Sequence, residues 1–385
     1  MEPSKSNLKA LSNYFSERQQ EIIAFVRALV ETESPSGDEA GSKAVVSLLA
    51  AAAGKIQGVT VERLLSENYG EHLLINGFAA LREKPIIILG HTDTVHRRGS
   101  IQQRPWREEA GKAYGPGVFD MKANCALAIE VIRAFAETGL QPQRPLVFLF
   151  TCDEETGSQT GRSLVEAQSR GAHAVLVLEP PAIGGRVKTG RKGTGIFTIE
   201  AQGRAAHAGL EPEKGASAIL ELARQTQRLH ALNGSSDGIT VNVGVFQGGT
   251  LSNVVPAEAR AEIDVRFNTA EEATRIESEF RNLRPFDERV QLLVKGGINR
   301  PPMERNERVL ELFSRARVIA RDLGFELGET QVGGASDGNF AAAVGAAVLD
   351  GLGIEGDGAH AVHEHIVIDD IPRRGALLAG LIASL

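Results

Sequence analysis

The sequence predicts an α/β protein: a mostly parallel sheet sandwiched by helices and interrupted by an inserted two-layer α/β sandwich. Short runs of β-branched residues alternate with segments of helical apolar spacing, a pattern typical of a parallel sheet covered on both faces. A second block, from about Gly193 to Gly297, has its own β-α-β-β-α-β order. The chain has 385 residues, more than one hydrophobic core usually serves. We therefore expect one domain from residues 1–192 and 304–385 and an inserted domain from residues 193–303.

The elements of the outer domain follow from apolar periodicity and turn residues. One helix is predicted over about Leu8–Glu31, and the turn residues of the segment Glu31–Glu39 separate it from a second helix that runs through Leu49. β-Branched and apolar runs predict the strands Val59–Leu64, Leu73–Phe78, Pro85–Leu89, Pro145–Thr151, Ala174–Leu178 and Ala346–Asp350. Helical spacing predicts the helices Ala123–Thr138, Asn306–Leu323 and Ile371–Leu385.

The inserted domain begins after Gly184–Gly195, a segment rich in glycine and basic residues that predicts a linker. The elements predicted beyond it are the strand Ile196–Ala201, the helix Gly215–Leu232, the strands Ile239–Phe246 and Ala257–Phe267, the helix Ala270–Leu283 and the strand Val290–Lys295. This block is long enough to form a small sandwich with a core of its own.

Composition excludes several classes of function. The net charge is -7, and the basic residues are scattered, so no nucleic-acid partner is expected. The two cysteines, Cys125 and Cys152, provide neither a disulfide framework nor a thiolate zinc site. Met1–Leu11 is polar, and no apolar run approaches the roughly 20 residues that span a bilayer, so we expect a cytoplasmic protein without a membrane partner.

The first candidate site follows the strand that ends at Leu89. His91 and Asp93 are two residues apart, so in an extended chain their side chains lie on the same side. The carboxyl ends of strands are where open α/β sheets bind ligands. A carboxylate that accepts one ring N–H of a histidine leaves the other nitrogen available to a metal. The alternative is a strand that simply ends in a polar turn.

Three later segments deliver further ligand-type residues at comparable places. Asp120 follows a glycine-rich loop and precedes a predicted helix, where a helix N-cap is the alternative role. Glu154 and Glu155 follow the strand that ends at Thr151, and with Asp153 they form three adjacent carboxylates that repel one another unless a cation lies among them. A solvated acidic turn is the alternative there. Glu179 directly follows the strand Ala174–Leu178.

The segment near the C-terminus contains three histidines that invite metal, His360, His363 and His365. They do not form the H-E-x-x-H helix motif, because a single residue, Glu364, separates His363 from His365.

Taken together, these segments resemble the two-zinc exopeptidases and N-acyl amino acid deacylases, the family that includes glutamate carboxypeptidase, acetylornithine deacetylase and succinyl-diaminopimelate desuccinylase. The resemblance extends over nearly the whole chain. Its matching pieces are Gly90–Val95, Gly117–Lys122, Asp153–Ser158, Leu178–Pro180, and Gly358–His360 with Glu364.

The resemblance implies a centre of two divalent metal ions, with zinc expected and cobalt or manganese also compatible with histidine and carboxylate ligands. It assigns His91, Asp120 and Glu179 to one ion and Glu155 and His360 to the other, with Asp120 bridging both. Asp93 would orient His91. Glu154 would be the general base that takes a proton from the water that the metals activate.

The inserted domain resembles the lid and dimerisation domain of the same family, which implies a homodimer. There the resemblance assigns His207 to the substrate carbonyl and transition state, and Asn253, Arg266 and Gly334 to substrate binding. An arginine fork suits a C-terminal carboxylate. His207 could instead be an ordinary loop histidine, and Arg266 could form an ion pair on a strand surface.

We therefore expect a metal-dependent carboxypeptidase that hydrolyses the amide bond before a C-terminal amino acid, with glutamate as one candidate, in small peptides or N-acyl compounds. Glu179 supports this expectation, because relatives that remove an N-terminal residue tend to have Asp at that position. The alternative is an N-acyl amino acid deacylase of the acetylornithine deacetylase or desuccinylase type. A non-catalytic dimeric binding protein on the same fold is the third hypothesis.

Overall fold

The computed structural model describes residues 3–234 and 238–385, which divide into two compact units. The first unit comprises Met1–Gly190, Arg305–Gln331 and Ser336–Leu385, and the second comprises Arg191–Glu304 and Val332–Ala335. The predicted division lies close to these boundaries, but it placed Val332–Ala335 in the outer domain. The assignment of the units as a catalytic domain and a lid stays a prediction.

Eleven α-helices lie in the described residues, and none of them combines the length and apolar character needed to cross a bilayer. In chain order they are α1 (Lys5–Glu17), α2 (Gln19–Glu31), α3 (Glu39–Ala53), α4 (Ser100–Gln103), α5 (Ala123–Thr138), α6 (Gly161–Ser169), α7 (Ala218–His230), α8 (Ala270–Arg281), α9 (Glu307–Asp322), α10 (Gly338–Ala343) and α11 (Asp370–Ser384).

The strands of the described residues are β1 (Val59–Ser66), β2 (Gly70–Gly77), β3 (Ile86–His91), β4 (Arg107–Glu109), β5 (Lys112–Tyr114), β6 (Leu146–Thr151), β7 (Ala174–Val177), β8 (Val187–Arg191), β9 (Gly193–Gln202), β10 (Thr240–Gly248), β11 (Glu258–Phe267), β12 (Gln291–Arg300), β13 (Glu329–Val332), β14 (Val348–Leu349), β15 (Gly356–Asp357) and β16 (His365–Val367).

The first unit is built on a six-stranded sheet with the order β1-β2-β6-β3-β7-β14. Strands β6, β3, β7 and β14 are parallel, and β2 is antiparallel to both of its neighbours. All six residues of β3 and of β6 are buried, as expected for parallel strands covered on both faces. Because His91 pairs with Thr151, the ends of β3 and β6 open at the same edge of the sheet.

The second unit is a two-layer sandwich, as predicted. Its antiparallel sheet has the order β10-β11-β9-β12, and α7 and α8 pack against it. Burial alternates along β11, so one face of the sheet is directed toward the core. Phe197 stacks on Phe280 of α8, with ring centroids 4.0 Å apart. The α/β fold class with an inserted sandwich is therefore confirmed.

Two predicted elements were wrong. The helix predicted over Leu8–Glu31 is broken at Arg18, whose backbone leaves the helical region and whose side chain pairs with the buried Glu130 at 2.9 Å. The predicted linker Gly184–Gly195 is largely strand, because β8 pairs with β13. Gly193 makes room for a neighbour rather than giving flexibility, since a Cβ there would lie 2.1 Å from the ring of Phe267.

Candidate metal centre

His91 ends strand β3 with its ring fully buried. Its Nδ1 lies 3.0 Å from the backbone carbonyl oxygen of Asp93 and 3.4 Å from the Asp93 carboxylate. Both of these partners only accept hydrogen bonds, so Nδ1 carries the hydrogen and Nε2 is left to face a cation. The Nε2 atom lies 3.0 Å from Asp120 Oδ1 and 3.6 Å from Glu179 Oε1. These three side chains form the first candidate metal group.

Asp120 lies between this group and a second one. Its Oδ1 faces His91, while its Oδ2 lies 3.3 Å from His360 Nε2. The side chain does not cap α5, so the alternative role considered from the sequence is not the one observed. The turn that carries it depends on Gly117, which has a φ of 72° and where a Cβ would lie 2.5 Å from Thr94. Because its two oxygens face two different histidines, the Asp120 carboxylate can reach two cations.

Glu155 and His360 complete the second group with Asp120. His360 Nε2 lies 3.1 Å from Glu155 Oε2. The other oxygen, Glu155 Oε1, is buried and has no hydrogen-bond partner among the described residues. Leaving a buried carboxylate oxygen without a partner is costly, and a cation among these ligand atoms would satisfy it. The ligand atoms of each group lie within 4.8 Å of one another, so the donor set fits two metal ions that share Asp120.

The charges of the cluster support this fit. Hydrogen bonds with Asp120 and Glu155 raise the pKa of His360 to about 10. Burial acts to raise the pKa of Asp120, but its hydrogen bonds with His360 and His91 outweigh burial and hold it well below its usual range. Burial raises the pKa of Glu155. Asp120 and Glu155 favour a positive charge on the neighbouring ring of His360, so these carboxylates would also favour divalent ions.

The three adjacent carboxylates after β6 point in different directions. Asp153 accepts hydrogen bonds from Thr160 N at 2.6 Å and Gly161 N at 3.2 Å, so it anchors the following loop and is not a candidate ligand. Glu154 and Glu155 lie in a short 3₁₀ turn, where Glu155 joins the cluster and Glu154 is buried beside it. The turn is therefore not a solvated acidic loop.

The predicted substrate residues lie in the second unit. His207 is exposed, and its Nδ1 accepts a hydrogen bond from Gly209 N at 3.1 Å, so the neutral ring carries its hydrogen on Nε2. The carbonyl of Asn253 accepts from Ala208 N at 2.9 Å, which brings these two predicted residues together.

Arg266 and Gly334 have other partners. Arg266 forms a bidentate ion pair with Asp264, with both N–O distances at 2.8 Å, which matches the alternative role considered from the sequence. The carbonyl of Gly334 accepts from Arg191 Nη1 at 3.2 Å. The roles of His207, Asn253, Arg266 and Gly334 toward a substrate stay predictions.

Sequence reasoning did not assign roles to two buried residues next to the cluster. The resemblance includes Glu364 in the terminal motif without a role of its own, and no sequence pattern points to His96. In the structure Glu364 accepts hydrogen bonds from the backbone around Asp120 and from His96. Nothing in the local sequence pattern marks these contacts, because the partners are more than 200 residues apart. His363 and His365 belong to neither metal group found in the described ranges.

Comparison with known proteins shows which family the chain resembles. Residues 87–384 match the family model "Peptidase family M20/M25/M40". Carboxypeptidase G2 of Pseudomonas sp. (strain RS-16) is 29% identical over 381 residues, covering 96% of this chain and 90% of that protein. A succinyl-diaminopimelate desuccinylase of Methylobacterium sp. (strain 4-46) is 28% identical over 383 residues, covering 92% and 93% of the two chains.

Among solved structures, the YXEP protein of Bacillus subtilis, described as a dinuclear metal-binding peptidase from the M20 family, superposes with a TM-score of 0.69. It is 15% identical and covers 96% of this chain and 98% of its own, so it supports the fold. The family match, together with two candidate metal groups that share a carboxylate, confirms the resemblance found in the sequence. The chain therefore belongs to the peptidase family M20/M25/M40 and is a metal-dependent hydrolase.

Proposed function

We propose that the protein is a two-zinc carboxypeptidase that hydrolyses the amide bond before a C-terminal amino acid, with glutamate the first residue to test. The observation that carries the hydrolytic part is the pair of ligand groups joined through Asp120, beside a buried Glu154 that belongs to neither group. The carboxypeptidase part is supported by the relative named carboxypeptidase G2, which matches 96% of this chain.

His91, Asp120 and Glu179 would hold one metal ion, and Asp120, Glu155 and His360 the other. When bound, such ions would supply Lewis-acid chemistry, lowering the pKa of a water from about 15.7 toward 7 and polarising the scissile carbonyl. Zinc suits a set of histidine and carboxylate ligands, and cobalt and manganese are also compatible.

Glu154 would act as the general base. It lies in the same turn as Glu155, and Asp93 accepts a backbone hydrogen bond from each of the two glutamates at 3.2 Å. This arrangement supports a division of roles in which Glu155 would be a ligand and Glu154 would transfer the proton. Glu154 would take the proton from the attacking water and pass it to the amine nitrogen as the C–N bond breaks.

Residues of the second unit would bind the substrate, and this unit would also form the homodimer interface. His207 would donate from Nε2 to the carbonyl oxygen of the scissile bond, since its Nδ1 already accepts from Gly209 N. Arg266 would bind the C-terminal carboxylate of the substrate. Its ion pair with Asp264 occupies Nε and Nη2, so Arg266 would have to bind both carboxylates at once or release Asp264. Asn253 and Gly334 would make the remaining polar contacts.

A second candidate function, an N-acyl amino acid deacylase, is supported by the relatives named succinyl-diaminopimelate desuccinylase. The test is a panel of dipeptides with different C-terminal residues alongside N-acetyl and N-succinyl amino acids, with released amino acid measured. Turnover of the dipeptides is the expected result. Turnover of acyl amino acids alone would favour the deacylase, and no turnover of any compound by metal-loaded protein would favour a binding protein.

The roles of the adjacent glutamates are separable by matched substitutions. We expect Glu154→Gln to retain two metal ions and to lose activity by about 10²–10⁴-fold, because it removes a general base without removing a ligand. Glu155→Gln should lose one metal ion as well as activity. Metal content by elemental analysis and hydrolysis of a Glu-terminated dipeptide measure both. Loss of metal in Glu154→Gln would mean that the two glutamates have exchanged roles.

A further inference from the structure

We propose that Glu364 is a positioning residue for Asp120, and that it acts together with His96 and Arg104. Glu364 and His96 are buried and Arg104 is half-buried, and the three form a hydrogen-bonded chain that holds the backbone on either side of the candidate bridging ligand. This inference rests on the proposed function, because it concerns the geometry of the same metal centre.

The Glu364 carboxylate is 2% exposed and has a hydrogen-bond donor at each of its acceptor sites. Its Oε2 accepts from Gly117 N at 2.8 Å, and its Oε1 accepts from Phe119 N and Asp120 N at 3.0 Å each. His96 Nε2 lies 2.6 Å from Oε2 and is the fourth donor. A carboxylate offers about four lone-pair sites, so this one is saturated by its surroundings. The carboxylate therefore clamps the turn from residue 117 to residue 120.

His96 links Glu364 to Arg104 through a second hydrogen bond. The Arg104 Nη2 atom lies 3.1 Å from His96 Nδ1, and arginine can only donate. Nδ1 is therefore the acceptor, and the hydrogen of the neutral ring lies on Nε2, directed at Glu364. Arg104 Nη1 also donates to the carbonyl of Ala361 at 3.3 Å. Ala361 directly follows His360. The hydrogen-bonded chain therefore contacts both segments that supply the candidate ligands Asp120 and His360.

The small sheet β15-β16-β5-β4 brings these segments together. In this sheet His365 pairs with Tyr114. The pairing places Glu364, the residue before β16, next to the loop that follows β5. Asp120 must present one oxygen to His91 at 3.0 Å and the other to His360 at 3.3 Å. A ligand that serves two ions tolerates little displacement, and residues that hold metal ligands commonly change affinity or activity by 10–100-fold when replaced.

The test is Glu364→Gln, which keeps the shape of the side chain but directs an NH₂ group at two of the four donors. We expect metal affinity, measured by competition with a chelator, to fall by about 10–100-fold. At saturating metal we expect kcat to fall with KM nearly unchanged, because Asp120 is displaced and substrate contacts are kept.

A matched control is Glu221→Gln in the second unit. Glu221 is also 2% exposed, and its carboxylate accepts from Phe286 N and Asp287 N at 3.0 Å. We expect this variant to lower the unfolding temperature while metal affinity and kcat stay at wild-type values. Equal losses of metal affinity in Glu221→Gln and Glu364→Gln would overturn the positioning role, because the effect would then be general destabilisation.

A milder variant keeps the proposal testable if Glu364→Gln does not fold. His96→Gln leaves Glu364 and its three backbone hydrogen bonds in place, and we expect a smaller loss of metal affinity in the same direction. Wild-type metal affinity and kcat in a folded Glu364→Gln or His96→Gln protein would overturn the positioning role alone. A wild-type protein that binds no divalent metal would overturn the proposed function itself.

Discussion

The Asp93 carboxylate accepts three hydrogen bonds that organise the candidate centre at the scale of single residues. It bonds the backbone N–H groups of Glu154 and Glu155 at 3.2 Å each and the hydroxyl of Ser36 at 2.6 Å. Burial acts to raise the pKa of Asp93, but His91, Ser36 and the Glu155 N–H outweigh burial, so the pKa is lowered and the side chain stays ionised. Asp93 thus holds both the strand end and the turn with the two glutamates.

Asp93→Asn tests this role. The amide must direct its NH₂ group at one of the donors, so at least one bond to the glutamate turn is lost. We expect kcat to fall by about 10–100-fold, with metal affinity also reduced. Steady-state kinetics and chelator competition measure the two effects. Ser36→Ala is the control, because it removes only the hydroxyl bond and should have the smaller effect; an Asn variant with wild-type kcat would contradict the prediction.

At the scale of elements, the pairing of β3 with β6 positions the centre, and β2 supports the turn after β6. His72 on β2 is buried, accepts from Cys152 N at Nδ1 (3.2 Å), and therefore donates from Nε2 to the Thr160 hydroxyl at 3.0 Å. Burial lowers the pKa of His72, although Asp153 acts in the opposite direction. The folded state therefore holds His72 neutral at a pH where the unfolded chain begins to bind a proton.

This difference predicts a pH dependence of stability. Because the unfolded state binds the extra proton, the stability contribution of neutral His72 is complete above about pH 6.5 and decreases as pH falls below that value. At one pH unit below 6.5 the loss is at most about 1.4 kcal/mol. His72→Gln should therefore show a flatter decline than the wild type between about pH 7.5 and 5.5 in urea unfolding. Parallel declines would exclude His72 as a source of the acid sensitivity.

At the scale of the whole molecule, the five candidate ligands come from five separate segments of the first unit. Metal ions would link the end of β3, the turn before α5, the turn after β6, the end of β7 and the loop between β15 and β16. Ions that bind only the folded state stabilise it, and the linked segments gain most. The second unit supplies none of the candidate ligands found in the described ranges.

Removal of metal should therefore change the two units unequally. We expect a chelator to speed amide hydrogen exchange in β3 and in the loops at residues 117–122 and 152–158. At 100 times the dissociation constant, bound metal contributes about 2.7 kcal/mol, so protection should fall by roughly 100-fold. The amides of β9, β11 and β12 should be unaffected and serve as an internal control. Uniform loss of protection across both units, or no loss at all, would contradict a metal centre confined to the first unit.

The sequence by itself determined the α/β fold class and the residue types at the strand ends. Buried strands appear in a sequence as continuous apolar runs. Three such runs lead into ligand-type residues: the first into His91, the second into the Asp153–Glu155 carboxylates and the third into Glu179. The local pattern is enough to show this. The family resemblance then assigned a role to each of these residues, and the structure brings all five candidate ligands into two groups.

Only the tertiary structure decided the directions and partners of these side chains. It turned Asp153 away from the cluster and Glu155 toward it, broke the first predicted helix at Arg18, and surrounded Glu364 with donors from residues 96 to 120. The physical reason is the same in each case. A local pattern reflects only the burial of neighbouring residues, whereas a hydrogen bond or a metal ligand depends on segments that lie far apart in sequence and meet only after folding.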